Sequence, residues 1–430
     1  MAEAMFSEFD YFTHDTLRLG ILEEYDKEVS PTAAIAQTGP MVFDVKGEDG
    51  VYRDLSNTLL QVKVKIVAAD GTDQADNVVV APVNLLLHAL FESVDLSIGG
   101  NPVNEACAMY PYRAYLEKLL TLSPDTLAVR TLTEGWIKDN SEDVGMDAVT
   151  VAASTGFAGR FDATKGSREI TLMGRPHLDM FHQDRDLPGG VDFKVTVTRH
   201  KSCDLFATMG AVALGCKLFI TSAVLFVRCK KLDPALILAH KRMTVDTNYL
   251  FPYKKVTLKH DTIAQGVAST TLANVYTGNL PDRVIVAMVS NAAFTGTRNL
   301  NPFNFKNYNL NSIHMNVNGT SIPRTALTTN FASELSCTRE YLNLLQALEK
   351  DTEDKQFAVT MSEWKAGYTI FAFNLTPGPR VPGTRSQQMT GSASLHLQFG
   401  TTLPNVIEVL LYAEYGGMLQ IDQYNNIITV

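Results

Sequence analysis

The chain has 430 residues, 45% hydrophobic and 19% charged, which is long enough to bury a core without disulfide staples and too apolar for a disordered polymer. Its 28 Gly and 17 Pro exclude collagen-like and low-complexity classes. The five cysteines, Cys107, Cys203, Cys216, Cys229 and Cys337, form no CxxC pair, zinc pattern or disulfide framework and read as free thiols of a reducing compartment. The net charge of −9 is uneven. The first 30 residues carry eight acidic and two basic side chains, and the other 400 carry 38 and 35. An acidic arm on a near-neutral body lacks the basic excess that grips nucleic-acid phosphates.

In chain order, the N-terminus shows neither the basic start nor the apolar run of a signal peptide, so residues 1–37 are expected as an acidic arm of a non-secreted protein. Phe6, Phe9 and Phe12 at three-residue spacing fit a helical apolar stripe or a disordered terminus. Residues 60–68 (LQVKVKIVA) alternate at period two, with Val62, Val64 and Ile66 on one face. That is the pattern of a half-buried strand. Residues 94–98 alternate likewise and run into Gly99-Gly100, a hairpin signal. A helix is expected over 111–122, with Tyr115, Leu116, Leu119 and Leu120 on one stripe. The weakly periodic 144–174 segment, rich in small residues, fits a surface insertion. Strands follow at 191–198 and 218–227. The longest apolar stretch, 211–227, holds Gly215 and Lys217 and falls short of the ~20 residues of a spanning helix. Asp233-Pro234 reads as an N-cap with Pro at the first helical position. The helix it opens, 235–243, is expected to join two domains. Strands at 284–289, 314–317 (closed by Asn318-Gly319), 394–399 and 406–412 complete the pattern, with a third helix over 339–348 and its stripe at Tyr341, Leu342, Leu345 and Leu348. Asp-Gly at 49–50 and 70–71 and Pro-Gly at 377–378 and 382–383 mark turns. Many short strands with few helices argue for an all-β sandwich or jelly-roll architecture. The sequons at Asn318 and Asn374 read as chance matches without a signal peptide.

The chain also repeats itself. A strand ending at Gly99-Gly100 is followed by Arg113-Ala-Tyr115-Leu116, and a strand ending at Asn318-Gly319 by Arg339-Glu-Tyr341-Leu342. The hairpins are 219 residues apart and the helices 226. Strand, turn and helix in the same order point to duplication of one β domain, a period far too long for a solenoid.

Several stretches carry a resemblance. They include 80–84 (VAPVN), Tyr110-Pro-Tyr-Arg113-Ala-Tyr115-Leu116, Gly39-Pro40-Met-Val-Phe43, His177-Leu-Asp179-Met-Phe181, and Asn301-Pro302-Phe303-Asn304-Phe305. The 367–377 run GYTIFAFNLTP and Tyr412-Ala413-Glu414 close the set. In this order, over roughly residues 39–430, the chain resembles the double jelly-roll major capsid proteins of Polinton (Maverick) elements and adintovirus-like relatives. The resemblance implies two tandem eight-stranded jelly rolls with a few short helices, at 38–230 and 248–430, joined by a linker helix at 231–247. It further implies homotrimers of pseudo-hexameric outline that tile, with neighbouring capsomers, an icosahedral virion shell. The acidic arm is then a contact for a minor, penton-type capsid protein or a neighbouring capsomer. Neither nucleic acid, membrane span, cofactor nor metal is expected.

On that reading the assembly residues are Arg113, Tyr115, Leu116, Arg339, Tyr341 and Leu342. The tyrosines and leucines anchor each helix on its own sandwich. The arginines either meet solvent and local carbonyls or make ion pairs between subunits. Enzyme signals are weak: neither a Gly-x-Ser-x-Gly elbow nor a P-loop is present. His177 and His182 are five apart rather than the four of a helical zinc pair, and His177-x-Asp179 reads as a ligand pair or, better, a polar loop cluster. Cys337 beside Arg339 is a small buried residue or an activated thiol. Trp364, Tyr368, Phe371 and Phe373 form either core or a sugar-stacking platform. The alternative function is therefore a two-domain β-sandwich that binds or cleaves carbohydrate.

Overall fold

The computed structural model describes residues 20–104, 108–139, 146–152, 154–211, 215–331, 334–351, 355–376 and 388–429. The stretch bearing Phe6, Phe9 and Phe12, Cys107, and the Pro-Gly turns at 377–378 and 382–383 lie outside them.

Among the described residues, sixteen of the strands fall into two sets of eight. The first set is β1 (Ile21–Val29), β2 (Met41–Val45), β3 (Val51–Ala68), β4 (Phe91–Ile98), β5 (Asn101–Pro102), β6 (Ile170–Gly174), β7 (Phe193–Arg199) and β8 (Cys216–Leu232). The second is β9 (Tyr249–Ile263), β10 (Ser269–Asn279), β11 (Arg283–Ser290), β12 (Leu310–Val317), β13 (Thr320–Thr328), β14 (Ile370–Asn374), β15 (Thr390–Phe399) and β16 (Ile407–Ile421). In the first half the sheets run β1-β8-β3-β6 and β2-β7-β4-β5. In the second they run β9-β16-β11-β14 and β10-β15-β12-β13, with Ile427–Thr429 added beside β16. Adding eight to each label of the first half reproduces the second. This is the jelly-roll order, two four-stranded antiparallel sheets facing one another, built twice.

The strands form where polar and apolar residues alternate. On β3, Leu60, Val62, Val64 and Ile66 are buried while Gln61, Lys63 and Lys65 are partly exposed. Both predicted hairpins are present, and Gly99-Gly100 and Asn318-Gly319 hold positive φ at both central residues. Such turns match the twist of the flanking strands and favour Gly and Asn. The Asn318 side chain also accepts from the Ser392 N–H and donates to the Thr390 carbonyl, bracing the turn on β15.

Six helices matter below: α1 (Tyr110–Thr121), α2 (Pro124–Arg130), α3 (Thr155–Thr164), α4 (Pro234–Met243), α5 (Thr338–Ala347) and α6 (Met361–Ala366). As predicted, the Asp233 carboxylate caps α4 by accepting from the Ala235 N–H. Helices α1 and α5 lie in the same connection of the two rolls, between the fifth and sixth strands of each set.

Two expectations are corrected. Part of the segment read as an arm is strand: β1 pairs with β8 along its length, so the first roll begins near residue 21 rather than 38. Its run of acids hid it. Glu23, Glu24 and Asp26 stand opposite Lys231, Lys230 and Arg228, so complementary charge across the pair compensates for a polar edge strand. The 144–174 segment is no surface insertion either. Its described part holds α3, which packs on Val80–Pro82 through buried Phe157 and Arg160, and then β6, which pairs with β3.

Candidate functional site

Helix α1 sits between the two rolls. Pro111 opens its first turn, and every side chain from Tyr110 to Leu120 is buried. On one side it meets Leu86–Ala89 and β4 of its own roll. On the other, Tyr115 stacks on Phe303 of the second roll, centroids 4.2 Å apart at 4°, and Tyr112 stacks on Phe294 at 5.6 Å. Around these aromatics polar groups tie the rolls together. Asn301 donates to Asp139 at 3.2 Å, Lys306 pairs with Asp147 at 2.7 Å, and Lys138 pairs with Glu363 at 2.6 Å.

A helix buried on all sides must satisfy its charged residues internally. Arg113 donates from Nε to Glu117 Oε1 (2.9 Å) and from Nη2 to Asp179 Oδ1 (2.6 Å). Asp179 Oδ1 also accepts from the Val256 N–H of the second roll (3.3 Å). Glu117 Oε2 bonds His177 Nδ1 and lies 3.4 Å from His182 Nε2, and Tyr412 of the second roll donates to Glu117 Oε1 at 3.4 Å. Lys118 donates to Glu134 Oε1 at 2.7 Å. Glu134 Oε2 meets His88 Nε2 at 3.2 Å, and His88 Nδ1 meets the Tyr110 hydroxyl at 2.9 Å. Burial alone pushes the Glu117 and Glu134 carboxyls up, but neighbouring cations and imidazoles reverse this. Arg113 and His177 hold Glu117 well below the usual range, and His88 and Lys118 bring Glu134 down to about 2. Burial likewise holds His177 well below its ordinary value and lowers His88, leaving both imidazoles neutral.

Helix α5 repeats the motif in another setting. Arg339 is exposed and donates to the Ala326 and Thr325 carbonyls of β13 at 3.1 and 2.8 Å. Tyr341 is half-buried and donates to the Val359 carbonyl at 2.7 Å. The expected stripe is rotated: Glu340, Leu344 and Ala347 face inward, and Leu342 is 44% exposed. Arg283 of β11 donates to the Ala347 carbonyl at 2.7 Å and caps the C-terminal end of α5.

The six sequence-selected residues therefore do not share one environment. Tyr115 and Leu116 are core, and Tyr341 half so. Arg339 meets local carbonyls. Arg113 is neither solvated nor a surface ion-pairing group, because it is buried and pairs with Glu117 and Asp179 inside the chain. His177 and Asp179 are a polar cluster, as the better of the two readings had it, and Asp179 opens a short 3₁₀ turn rather than lying on a strand. Glu117, Glu134 and His88 belong to no sequence motif; the i, i+4 spacing of Arg113 and Glu117 is the one signal the sequence carries for them. Trp364, Tyr368, Phe371 and Phe373 are all buried, which removes them as a sugar platform. Cys337 is buried, and burial raises its thiol above the ordinary value, the reverse of activation.

Two jelly rolls of one strand order, packed side by side, define the double jelly-roll fold, and solved structures agree. A chain of the Sputnik virophage structure aligns with TM-score 0.67 and 12% identity over 100% of this chain and 93% of its own. The PBCV-1 virus capsid gives 0.59 at 10% identity over 96% and 97%. The mavirus major capsid protein gives 0.53 at 10% over 99% and 94%. In sequence, uncharacterized protein F54H12.2 of Caenorhabditis elegans is 22% identical over 418 residues, 91% of this chain and 94% of its own length. No protein-family model matches the chain.

Proposed function

We propose that this chain is a non-enzymatic major capsid protein of the Polinton/Maverick, adintovirus-like kind, located in the virion. The observation that carries the reading is the end-to-end likeness of a duplicated jelly roll to chains of the Sputnik virophage, the PBCV-1 virus capsid and the mavirus major capsid protein. The domain division we adopt is a first roll over 21–232, α4 as the joint, and a second roll over 249–429.

The contact between the rolls supports a ring. It is head-to-tail: the first roll offers α1, and the second offers Phe294, Phe303 and Tyr412. A heterologous contact between like bodies generates a closed ring when its rotation closes. In a homotrimer of pseudo-hexameric outline, α5 of each subunit, with exposed Leu342, meets the first roll of the next. Such trimers tile with neighbouring capsomers into an icosahedral shell, and the acidic residues ahead of β1 contact a minor, penton-type capsid protein. Synthesis takes place in the host-cell cytoplasm or nucleus.

The test is solution mass together with negative-stain microscopy of one sample. A species of three times 47.3 kDa with hexagonal outlines supports the reading. A monomer that never associates at any salt or pH overturns it.

A further inference from the structure

We propose that His88, Glu134 and His177 form a buried divalent-cation site, of zinc class, beneath helix α1. The three residues come from separate connections of the first roll, yet each offers a ligand atom within 4.8 Å of the other two. All three are at least 97% buried.

His177 supplies the independent observation. Its Nδ1 faces the Glu117 carboxylate and so carries the ring proton. Its remaining nitrogen, Nε2, is buried and has no hydrogen-bond partner. A bare lone pair in a dry site is costly unless something occupies it, and a metal ion is such an occupant. The surroundings already have the form of a metal site's outer shell. One imidazole is held by a carboxylate and the other by a phenol, the arrangement that fixes ligand tautomers. Two imidazoles and one carboxylate are an established zinc donor set.

The idea is independent of the capsid reading and is tested on the full chain whatever its assembly state. Protein stripped with chelator is titrated with Zn²⁺ and with Co²⁺, followed by metal analysis, visible absorption and thermal melting. One ion per chain, a four-coordinate cobalt spectrum and a raised melting temperature are expected. X-ray absorption of the zinc form should show two imidazoles at about 2.0–2.1 Å. Y110F, which frees His88, should weaken binding about 10–100-fold. H177N and E134Q should abolish one-to-one uptake while eluting like wild type. No uptake by the wild-type chain, an oxygen-only coordination shell, or unchanged affinity in H177N and E134Q would each overturn the site. Should those variants fail to fold, the wild-type stoichiometry and absorption spectrum decide alone.

Discussion

Helices α1 and α5 occupy the same connection of two rolls and carry the same Arg-x-Tyr-Leu tetrapeptide, yet one is buried throughout and the other half exposed. The difference lies in what each helix faces. The second roll covers α1, so Arg113 had to acquire Glu117 and Asp179 as partners, and Tyr115 became an aromatic hinge pin against Phe303. Among the described residues nothing covers the outer face of α5, so Arg339 settles on two backbone carbonyls and Leu342 points away from the core. A duplicated motif thus preserves its fold position while its energetics follow its neighbours.

The comparison breaks most sharply at the arginines. R113M leaves two buried carboxylates without their cation and should lower unfolding free energy by about 3–5 kcal/mol. R339M removes exposed hydrogen bonds and should lower it by no more than about 1 kcal/mol. Urea denaturation of both variants beside wild type measures the gap, and equal losses would mean that the ion pairs of α1 add nothing to its stability. The tyrosines come next. Y115A empties a fully buried aromatic site at about 3–5 kcal/mol, and Y341A should lose about half that, in proportion to its burial.

Leu342 sharpens the comparison in a different observable. L342E should leave the chain's own stability within about 0.5 kcal/mol, as surface changes do. If α5 meets a neighbouring subunit, the same variant should elute as a monomer on size exclusion with light scattering. L116E, its counterpart in the core, should fail to fold. A trimeric L342E would place the subunit contact elsewhere.

Much of this was readable in the residues. Alternation on β3, the Gly-Gly and Asn-Gly turns and the Asp-Pro cap each encode local geometry, so the hairpin turns and the limits of α1, α4 and α5 came out within a residue, while β3 starts nine residues before, and β16 ends nine residues after, the stretch expected for it. The misses share one cause, which is that long-range partners set the outcome. β1 reads as a solvated acidic arm until Lys230, Lys231 and Arg228 of β8 lie opposite it. Arg113 reads as a surface residue until Asp179, 66 positions away, turns up beside it. On α5, Leu342 and Leu344 are equal in hydropathy, and only the position of β14, where the Ala372 carbonyl accepts from Asn343, decides which faces inward. His88, Glu134 and His177 span 90 residues with no motif spacing.

The two helices also meet, and their junction provides the smallest effect. Lys350, just beyond α5, donates to the Thr121 and Leu122 carbonyls at the end of α1, each at 3.3 Å. Burial pulls its ammonium down to about 8 from the usual 10.5. A lysine whose folded value is depressed binds fewer protons folded than unfolded between those limits, so its contribution to stability rises with pH across that window and is flat below it. The group is only partly buried and solvent screens it, so the rise should stay below about 1 kcal/mol. Denaturation of wild type and K350M from pH 7 to 10 separates this group from the tyrosines and cysteines that titrate in both proteins. The wild-type curve should gain on the variant above pH 8. A constant difference would mean that the three carbonyls around Lys350, including that of Gln356 at 3.0 Å, compensate its burial fully. The joint between the helices would then be a charged clasp with no stability cost to recover at high pH.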